Sequence, residues 1–363
     1  MKVKLSEICT PKQWKTIPAN ELLDEGYPVY GANGIIGYYD KYNHENPVVT
    51  ITCRGATCGT VNITEPKSYI TGNAMCLDNV RPDILLEYLY YCLLHYDFSN
   101  VISGSAQPQI TRQGLEKVKI AICSIEEQNK RTSSLRKIST VIAARQQQLQ
   151  KLDELVKARF VEMFGDPQTN PKGYEKRKLG LLAKKISDGV HAKPEYTETG
   201  RPFLSVVNTN KGIINFEGCK FVSEEAYQKM IKSTHPERGD VLYTKVGATY
   251  GIPAYVDTDT EFCLYVSVCL IKPKHDEIDS RFLALSMSMP YIKRQADSRI
   301  KGIGVPDLHL NQISEFDILC PPREEQELFV AFVEQVDKSK VAIQKALDEA
   351  QLLFDSLMQK YFG

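Results

Sequence analysis

Two short glycine turns carry the side chains best suited to chemistry in this sequence. Gly55-Ala-Thr-Cys-Gly59 and Gly247-Ala-Thr-Tyr-Gly251 share one pattern, and each follows an apolar, strand-like run. A cation lies within two residues of each turn, Arg54 before the first and Lys245 before the second. Guanidinium, ammonium and hydroxyl groups hydrogen-bond to polar or anionic ligands, whereas breaking a bond needs an activated nucleophile. The turns therefore indicate binding rather than catalysis.

Cysteine and histidine spacings predict no metal site and no nucleophile. The ten cysteines occur in no C-x-x-C pair, and the six histidines occur in no H-E-x-x-H pattern. Several cysteines stand in apolar runs, which is typical of small buried side chains. Reduced thiols in a cytoplasm fit this distribution best. A cysteine-dependent hydrolase is an alternative that only the number of cysteines favours.

Length and charge set limits on the class of protein. The chain has 363 residues, which predicts two or three domains at roughly 100–200 residues each. Basic and acidic residues number 45 each, so binding to an anionic polymer must be local. The longest uncharged apolar stretches, such as 262–271, are shorter than the roughly 20 residues of a membrane helix, and no signal-peptide core follows the start. We expect a cytoplasmic chain with no membrane segment.

The chain contains an internal repeat. Residues 126–165 and 324–363 align without gaps at an offset of 198, each beginning with Glu-Glu-Gln and ending with Phe-Gly. The same offset aligns Pro108 with Pro306, which precede these two segments. The two glycine turns align at a slightly smaller offset of 192. Matches in the same order in both halves predict two similar domains.

Each half is predicted to be a globular segment followed by a long helix. The globular segments contain short strands between Gly, Pro and Asn turns, and one small helix each, near 85–96 and 280–295. The first segment is shorter, about 125 residues against about 158. The prediction is an α+β fold with two similar β-rich domains separated by two long helices, with boundaries at 1–125, 126–165, 166–323 and 324–363.

The two long helices have the apolar repeat of a coiled coil, which we expect to be antiparallel. Apolar residues recur about every 3.5 positions in both. Residues 126–165 carry eight basic and five acidic side chains, whereas 324–363 carry four basic and eight acidic ones. Opposite net charges favour pairing within one chain. Helices of this length would span roughly 45–60 Å and would hold the two domains apart.

The predicted helix pair leaves positions that a partner could cover. Arg145, Arg159 and Lys340 interrupt the apolar repeat, and they either set its register or contact partner helices. Self-association of the chain is the alternative. We expect partner docking at Val141, Arg145, Phe160, Val341 and Phe362.

Taken together, these features resemble the specificity (S) subunit of a type I restriction-modification enzyme over the full length. The twofold order of domain and helix and the Gly-Ala-Thr-x-Gly turns carry the resemblance. So do the stretches before the helices, Gly104-Ser-Ala-Gln-Pro-Gln-Ile-Thr111 and Ile318-Leu-Cys-Pro-Pro-Arg-Glu-Glu-Gln326, and the helix ends at 158–166 and 357–363. Each motif is weak alone, but their order and duplication make the resemblance specific.

The resemblance implies a non-catalytic DNA-binding subunit. Each target-recognition domain would read one half of a split site in double-stranded DNA. The helices would dock two methyltransferase (M) subunits, and restriction (R) subunits would join the full complex. S-adenosylmethionine, ATP and Mg would be bound only by those partners. The sequence agrees, because it has no Asn/Asp-Pro-Pro-Tyr/Phe motif and no G-x-x-x-x-G-K-S/T loop. Zero net charge favours the alternative of a repeat scaffold that binds proteins and no DNA.

Residues of the types that read DNA lie beside the turns and before the long helices. Arg and Lys suit guanine, Asn and Gln suit adenine, and hydroxyls suit phosphate. In the alternative interpretation, the turns close hairpins, and Gln107 and Gln109 fasten the domain to its helix. The predicted DNA contacts are Arg54, Thr57, Ser105, Gln107, Gln109 and Arg112 in the first half, and Lys245, Thr249, Arg299, Lys301 and His309 in the second.

Overall fold

A computed structural model describes residues 2–32, 34–104, 107–300 and 304–363. The chain divides into two units, and each is described by itself below. The first unit contains Met1–Gln148 and Ile343–Gly363, and the second contains Leu149–Ala342. Among the described residues, none of the helices is both long enough and apolar enough to cross a bilayer.

The first unit consists of short strands followed by the start of a long helix, which continues into the second unit. Three short 3-10 turns, at Leu5–Glu7, Ala19–Glu21 and Phe98–Asn100, lie between its strands and helices. In chain order, the strands and α-helices are β1 (Lys2–Lys4), β2 (Thr10–Gln13), β3 (Tyr27–Gly31), β4 (Gly34–Tyr39), β5 (Val49–Thr52), β6 (Val61–Ile63), β7 (Tyr69–Ile70), β8 (Ala74–Asp78), α1 (Leu86–His95), β9 (Ile102–Ser103), β10 (Gln109–Ile110), α2 (Arg112–Leu115), β11 (Lys119–Ala121) and α3 (Ile125–Phe164).

The second unit repeats this order with more helices. One helix was predicted near 280–295, but Pro290 begins a new helix there, because proline lacks the N–H that would continue the previous one. Its elements are β12 (Glu175–Lys178), α4 (Leu179–Leu182), β13 (Ala183–Asp188), β14 (Arg201–Leu204), α5 (Val206–Thr209), β15 (Lys220–Val222), α6 (Glu224–Met230), β16 (Val241–Thr244), β17 (Pro253–Tyr255), β18 (Cys263–Leu264), β19 (Val268–Pro273), α7 (Ser280–Met287), α8 (Pro290–Asp297), α9 (Leu310–Ser314), β20 (Asp317–Cys320) and α10 (Arg323–Phe362).

Each unit contains an antiparallel four-stranded sheet with the same strand order. The order is β2-β8-β5-β6 in the first unit and β13-β19-β16-β17 in the second. All four residues of β5 and all four of β16 are buried, so these strands are covered on both faces. Ile51 pairs with Met75 on β8, and Tyr243 pairs with Cys269 on β19. This matching register assigns positions in one sheet to positions in the other.

A three-stranded sheet accompanies the main sheet in each unit, and its connections differ. Its order is β4-β3-β7 in the first unit and β15-β14-β18 in the second. A hairpin joins β3 to β4, whereas residues 205–219, with α5, join β14 to β15. Each unit also has a separate antiparallel strand pair, which is β1 with β11 in the first unit and β12 with β20 in the second. The second unit is therefore longer in the connections between matching strands.

The long helices pair antiparallel in the first unit. Arg131 Nη1 on α3 donates to Tyr361 O on α10 at 2.7 Å. Four residues later on α3, Leu135 packs in a buried cluster with Met358 of α10. Contacts that advance along α3 thus move backwards along α10.

The same pairing is present in the second unit. Lys340 Nζ lies 2.6 Å from Asp153 Oδ1, and the ring centroids of Phe160 and Phe329 are 5.5 Å apart. Here too the contacts advance on α3 while they retreat on α10. The predicted fold class, α+β with two β-rich domains and long antiparallel helices, is confirmed.

A repeated glutamine fastens each long helix to a domain. Gln128 accepts a hydrogen bond from Leu85 N at 2.9 Å and donates to Cys123 O at 3.0 Å. Gln326 accepts from Asp279 N at 2.9 Å and donates to a backbone carbonyl at 2.8 Å. Both glutamines are buried. The repeated Glu-Glu-Gln motif therefore supplies a side chain that satisfies backbone groups on both sides of the junction.

Candidate functional site

In each unit the glycine turn contacts the loop that carries the repeated proline. Gly55 N donates to Pro108 O at 3.1 Å, and Gly247 N donates to Pro306 O at 2.9 Å. An isolated β-bridge runs beside this bond in both units. Motifs that are far apart in the sequence thus form one surface, here called the turn site. It comprises residues 54–60 and 107–112 in the first unit, and 246–252 and 304–310 in the second.

The turn itself is held by the same backbone bonds in both units. Cys58 N donates to Gly55 O at 3.0 Å, and Gly59 N donates to Thr52 O at 2.8 Å. The second unit repeats both bonds at 3.2 and 2.7 Å. Gly55 and Gly247 have φ of +89° and +92°, a region that other L residues rarely adopt. Glycine is therefore needed to close the turn, and the middle of each turn stays exposed.

Five of the predicted DNA contacts of the first half lie exposed on its turn site. Gln109 pairs with Ser103 in a short antiparallel ladder, and α2 begins directly after that ladder. The five residues offer two guanidinium groups, two amides and a hydroxyl, which are groups that can donate to base edges and phosphates. The predicted contact Ser105 lies outside the described residues. The five are Arg54, Thr57, Gln107, Gln109 and Arg112.

Lys245 is buried, which contradicts its predicted position on the surface. Its side chain is 5% exposed, and Nζ lies 3.5 Å from Asp188 Oδ2 and 3.4 Å from Asp307 Oδ1. Burial raises the pKa of the Asp188 carboxyl, and the ammonium of Lys245 opposes that effect. The three groups form a charged cluster in which Asp188 is 14% exposed and Asp307, at 46%, belongs to the turn site itself, so the ammonium is neutralised within the protein.

Lys245 was predicted as the counterpart of Arg54, but the offset of 192 and the backbone bonds both match it with Cys53. Leu308 N donates to Lys245 O at 3.0 Å, a bond that Ile110 N makes to Cys53 O in the first unit. Lys245 therefore occupies the position of Cys53. The position of Arg54 is taken by Val246, which carries no charge.

The remaining predicted contacts of the second half have different surroundings. Arg299 donates from Nη1 to a backbone carbonyl of α8, and from Nη2 to Glu315 O at 3.1 Å, so it braces the domain. His309 is exposed at the N-cap of α9, where its backbone N–H donates to Gln312 Oε1 at 2.9 Å. Thr249 is exposed at the middle of its turn. Lys301 lies outside the described residues.

Lysines placed over aromatic rings form a second kind of cationic surface. Lys220 Nζ lies 4.3 Å from the ring centroid of Tyr196, and Lys193 Nζ lies 5.8 Å from the same ring. In the first unit, Lys12 Nζ lies 3.6 Å from the ring centroid of Trp14. Sequence reasoning missed the lysine pair because Lys220 and Tyr196 belong to different strands and connections. Such pairs can contact phosphate through the ammonium group.

The predicted docking residues divide into exposed and buried ones. Val141 and Val341 are exposed, and Arg145 is half-buried and donates to a glutamine of its own helix at 2.8 Å. Phe160 is 1% exposed because it fills the core of the second unit. Its predicted docking role is wrong. Phe362 is half-buried, and its ring packs against the core of the first unit.

An exposed leucine that sequence reasoning missed is repeated on the two long helices. Leu155 on α3 is 46% exposed, and Leu353 on α10 is 51% exposed. They are related by the offset of 198 that defines the repeat, and each lies in a different unit. The offset could have identified them, because a leucine that is exposed in both copies is a repeated apolar feature without a core role.

The comparison with protein families gives one match over most of the chain. A family model described as the type I restriction modification DNA specificity domain matches residues 1–154 and 171–351. The specificity subunit of the type I restriction enzyme EcoprrI from Escherichia coli is 30% identical over 129 residues, which cover 34% of this chain and 32% of that protein. The MjaVIII specificity subunit from Methanocaldococcus jannaschii is 24% identical over 288 residues, covering 71% of this chain and 67% of that protein.

Two solved structures share the fold. The S subunit of a type I restriction-modification system from M. genitalium superposes with a TM-score of 0.64 at 16% identity, covering 100% of this chain and 96% of that one. A chain from a structure on complex assembly and conformational transition of the type I R-M system superposes with a TM-score of 0.54 at 17% identity, covering 100% and 97%. The likeness extends over both units and both long helices.

Proposed function

The chain belongs to the type I restriction-modification DNA specificity family, as a non-catalytic specificity subunit, and we propose that its two turn sites read the two halves of a bipartite DNA site. One observation carries this proposal. The same backbone contact between turn and proline loop, Gly55 to Pro108 and Gly247 to Pro306, recurs in both units with different exposed side chains. A constant scaffold with variable side chains is what two different half-sites require.

The side chains at matching positions differ strongly in hydrogen-bonding chemistry. Arg54, Gln109 and Arg112 of the first unit correspond to Val246, Asp307 and Leu310 of the second. The first set can donate to guanine and adenine edges in the major groove. A carboxylate such as Asp307 can accept from the amino group of cytosine, and valine or leucine can contact a thymine methyl. We infer that the two units prefer different bases.

Local charge can supply phosphate attraction although the net charge is zero. The first turn site holds two exposed guanidinium groups, Arg54 and Arg112. Exposed cations of the second unit include Lys193 and Lys220, which lie around Tyr196 and outside the turn site. Phosphate contacts position a protein on DNA without reading sequence, so the lysine pair is proposed to orient the second unit. The alternative of a scaffold that binds no DNA is not supported by the family to which the chain belongs.

The test of half-site assignment uses Arg54→Ala and Arg112→Ala in the full chain, co-expressed with methyltransferase subunits. We expect methylation to become weaker, or the base preference to relax, at one half-site only. A good bidentate contact discriminates between bases by about 1–3 kcal/mol, roughly 5- to 150-fold. Sequencing of methylated sites measures this. Arg81→Ala is the matched control, because Arg81 is an exposed arginine of the same unit that pairs with Asp83.

The opposite half-site is tested with Thr249→Val and Asp307→Asn in the second turn site. These variants should change the other half of the methylated sequence and leave the first half intact. The proposal would be wrong if either pair of variants altered both halves, or if Arg54→Ala methylated the same sites as the parent chain with equal efficiency.

We further propose that the long helices dock two methyltransferase subunits, with restriction subunits joining them in the full complex. The supporting observation is the repeated exposed leucine, Leu155 in the second unit and Leu353 in the first, with Val141 and Val341 also exposed on the same helices. One such apolar position in each unit suits one partner per unit. S-adenosylmethionine, ATP and Mg would be bound by those partners.

Native mass measurement of the co-expressed complex tests the stoichiometry. We expect the parent chain with two methyltransferase subunits, and Leu155→Asp or Leu353→Asp with one, because a buried unpaired charge strongly disfavours an interface. Gln146→Asp is the control, since Gln146 is exposed and lies half a helical turn away from the Leu155 face at about 100° per residue. One partner on the parent chain, or two on both leucine variants, would contradict the proposal.

A further inference from the structure

Three side chains of the first unit place possible metal-ligand atoms close to one another. Nε2 of His44, Sγ of Cys76 and a carboxylate oxygen of Asp78 all lie within 4.8 Å of one another. Cys76 is fully buried, and the His44 and Asp78 side chains are 11% and 14% exposed. The turn sites do not include any of the three residues.

The orientation of the imidazole is fixed by a neighbouring amide. His44 Nδ1 lies 2.7 Å from Asn43 Oδ1. Asn43 Oδ1 also accepts from Ile70 N at 2.9 Å, while Asn43 Nδ2 donates to Ile70 O at 3.0 Å, so the amide cannot be flipped. His44 Nδ1 must therefore carry a hydrogen and donate it. A histidine held this way by a carbonyl oxygen presents Nε2 as a metal ligand in many proteins.

His44 Nε2 faces a carboxylate rather than a donor. Asp78 Oδ1 lies 2.9 Å from it, and the other carboxylate oxygen accepts from Trp14 Nε1 at 3.2 Å. Two acceptor atoms at this distance need a proton or a cation between them. The Trp14 bond fixes the carboxylate in the same way that Asn43 fixes the imidazole, so both groups have outer hydrogen bonds of the kind that orient metal ligands.

The third group is a thiol in an apolar setting. Cys76 belongs to a small cluster of buried residues that also contains Tyr30 and Ile70. Burial, together with the nearby Asp78 carboxylate, raises the pKa of this thiol. Such a thiol stays protonated alone, but a bound divalent cation stabilises its thiolate.

We propose that His44, Cys76 and Asp78 bind a zinc-type divalent metal ion in the first unit, with a fourth position for water. Sulfur, nitrogen and oxygen ligands together suit zinc, which binds them tetrahedrally at about 2.0–2.3 Å. The ion would join the residue 43–44 loop to strand β8. Its role would be structural and separate from DNA contact.

The second unit offers an internal control. By strand register, Leu270 and Lys272 on β19 occupy the positions of Cys76 and Asp78 on β8. Lys272 Nζ lies 2.8 Å from Asp240 Oδ2, so a fixed ammonium supplies the positive charge there. The proposed site is therefore specific to the first unit.

Titration of the full chain with Co²⁺, after removal of metal by a chelator, tests the site. Binding of one equivalent should produce thiolate-to-cobalt charge-transfer absorption, which Zn²⁺ should abolish by displacement. Cys76→Ser should lose that absorption, and Asp78→Asn, which keeps an acceptor for Trp14, should bind Co²⁺ at least tenfold more weakly. Cys92→Ser is the control, because Cys92 is a buried thiol of the same unit outside the cluster.

Two outcomes would overturn the proposal. One is a parent chain that shows no thiolate-to-cobalt absorption at a slight excess of Co²⁺. The other is a Cys76→Ser or Asp78→Asn variant with the affinity and spectrum of the parent chain, since binding would then occur elsewhere. Thermal unfolding with and without one equivalent of Zn²⁺ gives an independent reading, with a rise in Tm expected for the parent and for Cys92→Ser only.

Discussion

The two units hold the same turn against the same loop with different chemistry underneath. In the first unit, Gln13 Nε2 contacts Cys53 Sγ at 3.1 Å and donates to a backbone carbonyl at 2.8 Å. In the second, Asp188 and Asp307 surround Lys245. The strand register equates Gln13 with Asp188, and the turn bonds equate Cys53 with Lys245. A neutral amide and thiol thus correspond to a cluster of charges.

This difference teaches that the backbone of the turn site does not depend on one set of buried side chains. The two arrangements bury different polar groups: Cys53 is buried beside the exposed amide of Gln13, whereas Lys245 is buried between two carboxylates and the buried Oδ1 of Asp188 has no hydrogen-bond partner among the described residues. The two arrangements are expected to respond differently when one partner is removed by mutation. Removing one neutral partner loses a weak contact, whereas removing one member of a buried ion pair leaves a charge without compensation.

The largest expected effect comes from breaking the charged cluster. Lys245→Cys places the residue of the first unit into the second and removes the ammonium that lies 3.5 Å from Asp188 Oδ2. We expect the free energy of unfolding to fall by about 3–5 kcal/mol. Adding Asp188→Gln and Asp307→Gln completes the transplant and should restore more than half of that loss. Urea denaturation of the full chain measures both.

The exposed lysine Lys193 supplies the control for this comparison, as Lys193→Cys should leave the free energy of unfolding nearly unchanged. If Lys245→Cys alone were as stable as the parent chain, the charged cluster would have no structural role. If the triple variant were no better than the single one, the correspondence between the two clusters would be refuted.

A smaller loss of stability, equal in the two units, is expected from substituting the glutamine that both units share. Gln128→Leu and Gln326→Leu each remove an amide that satisfies buried backbone groups at the junction of domain and helix. Each should cost about 2–3 kcal/mol, because an unsatisfied buried donor or acceptor costs about 1–3 kcal/mol. Denaturation of the two variants side by side tests the equivalence, and a loss confined to one of them would show that the repeated glutamine has diverged in function.

The turn glycines should show a still smaller effect. At both Gly55 and Gly247 an added Cβ would meet no atom within 4 Å, so only the positive φ opposes substitution. Gly55→Ala and Gly247→Ala should each cost about 1–2 kcal/mol. Asn tolerates this conformation better, so the Asn variants should lose less stability. Equal losses for Ala and Asn would point to a steric conflict instead of a conformational one.

The smallest effect is a difference in pH dependence between the units. Burial raises the pKa of Asp188, whereas its counterpart Gln13 does not titrate. A raised native pKa means that the folded state keeps its proton longer, so this contribution to stability declines as pH rises from about 4, the unfolded value, through the native pKa. Denaturation of the parent chain and Asp188→Asn across that interval measures it. The parent should lose stability relative to the variant as pH rises, and a gain would contradict the assigned direction.

Much of the architecture could be predicted from the sequence because it depends on local patterns. The 198-residue offset located both long helices, and their apolar repeat and opposite net charges predicted that they pair with each other. Glycines at 55 and 247 predicted the turns, since a positive φ selects glycine whatever surrounds it. The residue types at 54, 107, 109 and 112 indicated binding chemistry, and they lie on one exposed surface.

The tertiary structure decided which side chains face solvent and which meet. Lys245 and Arg54 both precede a glycine turn, but Lys245 is one residue farther from its turn, and the structure buries that position because alternate positions along a strand point to opposite faces. Phe160 was predicted to be uncovered, but residues brought in by α7 and α10 surround it. His44, Cys76 and Asp78 have no metal-ligand spacing in the sequence, and only the packing of a loop against β8 brings their ligand atoms together. Periodicity is a property of neighbouring residues, whereas burial and convergence depend on what distant segments contribute.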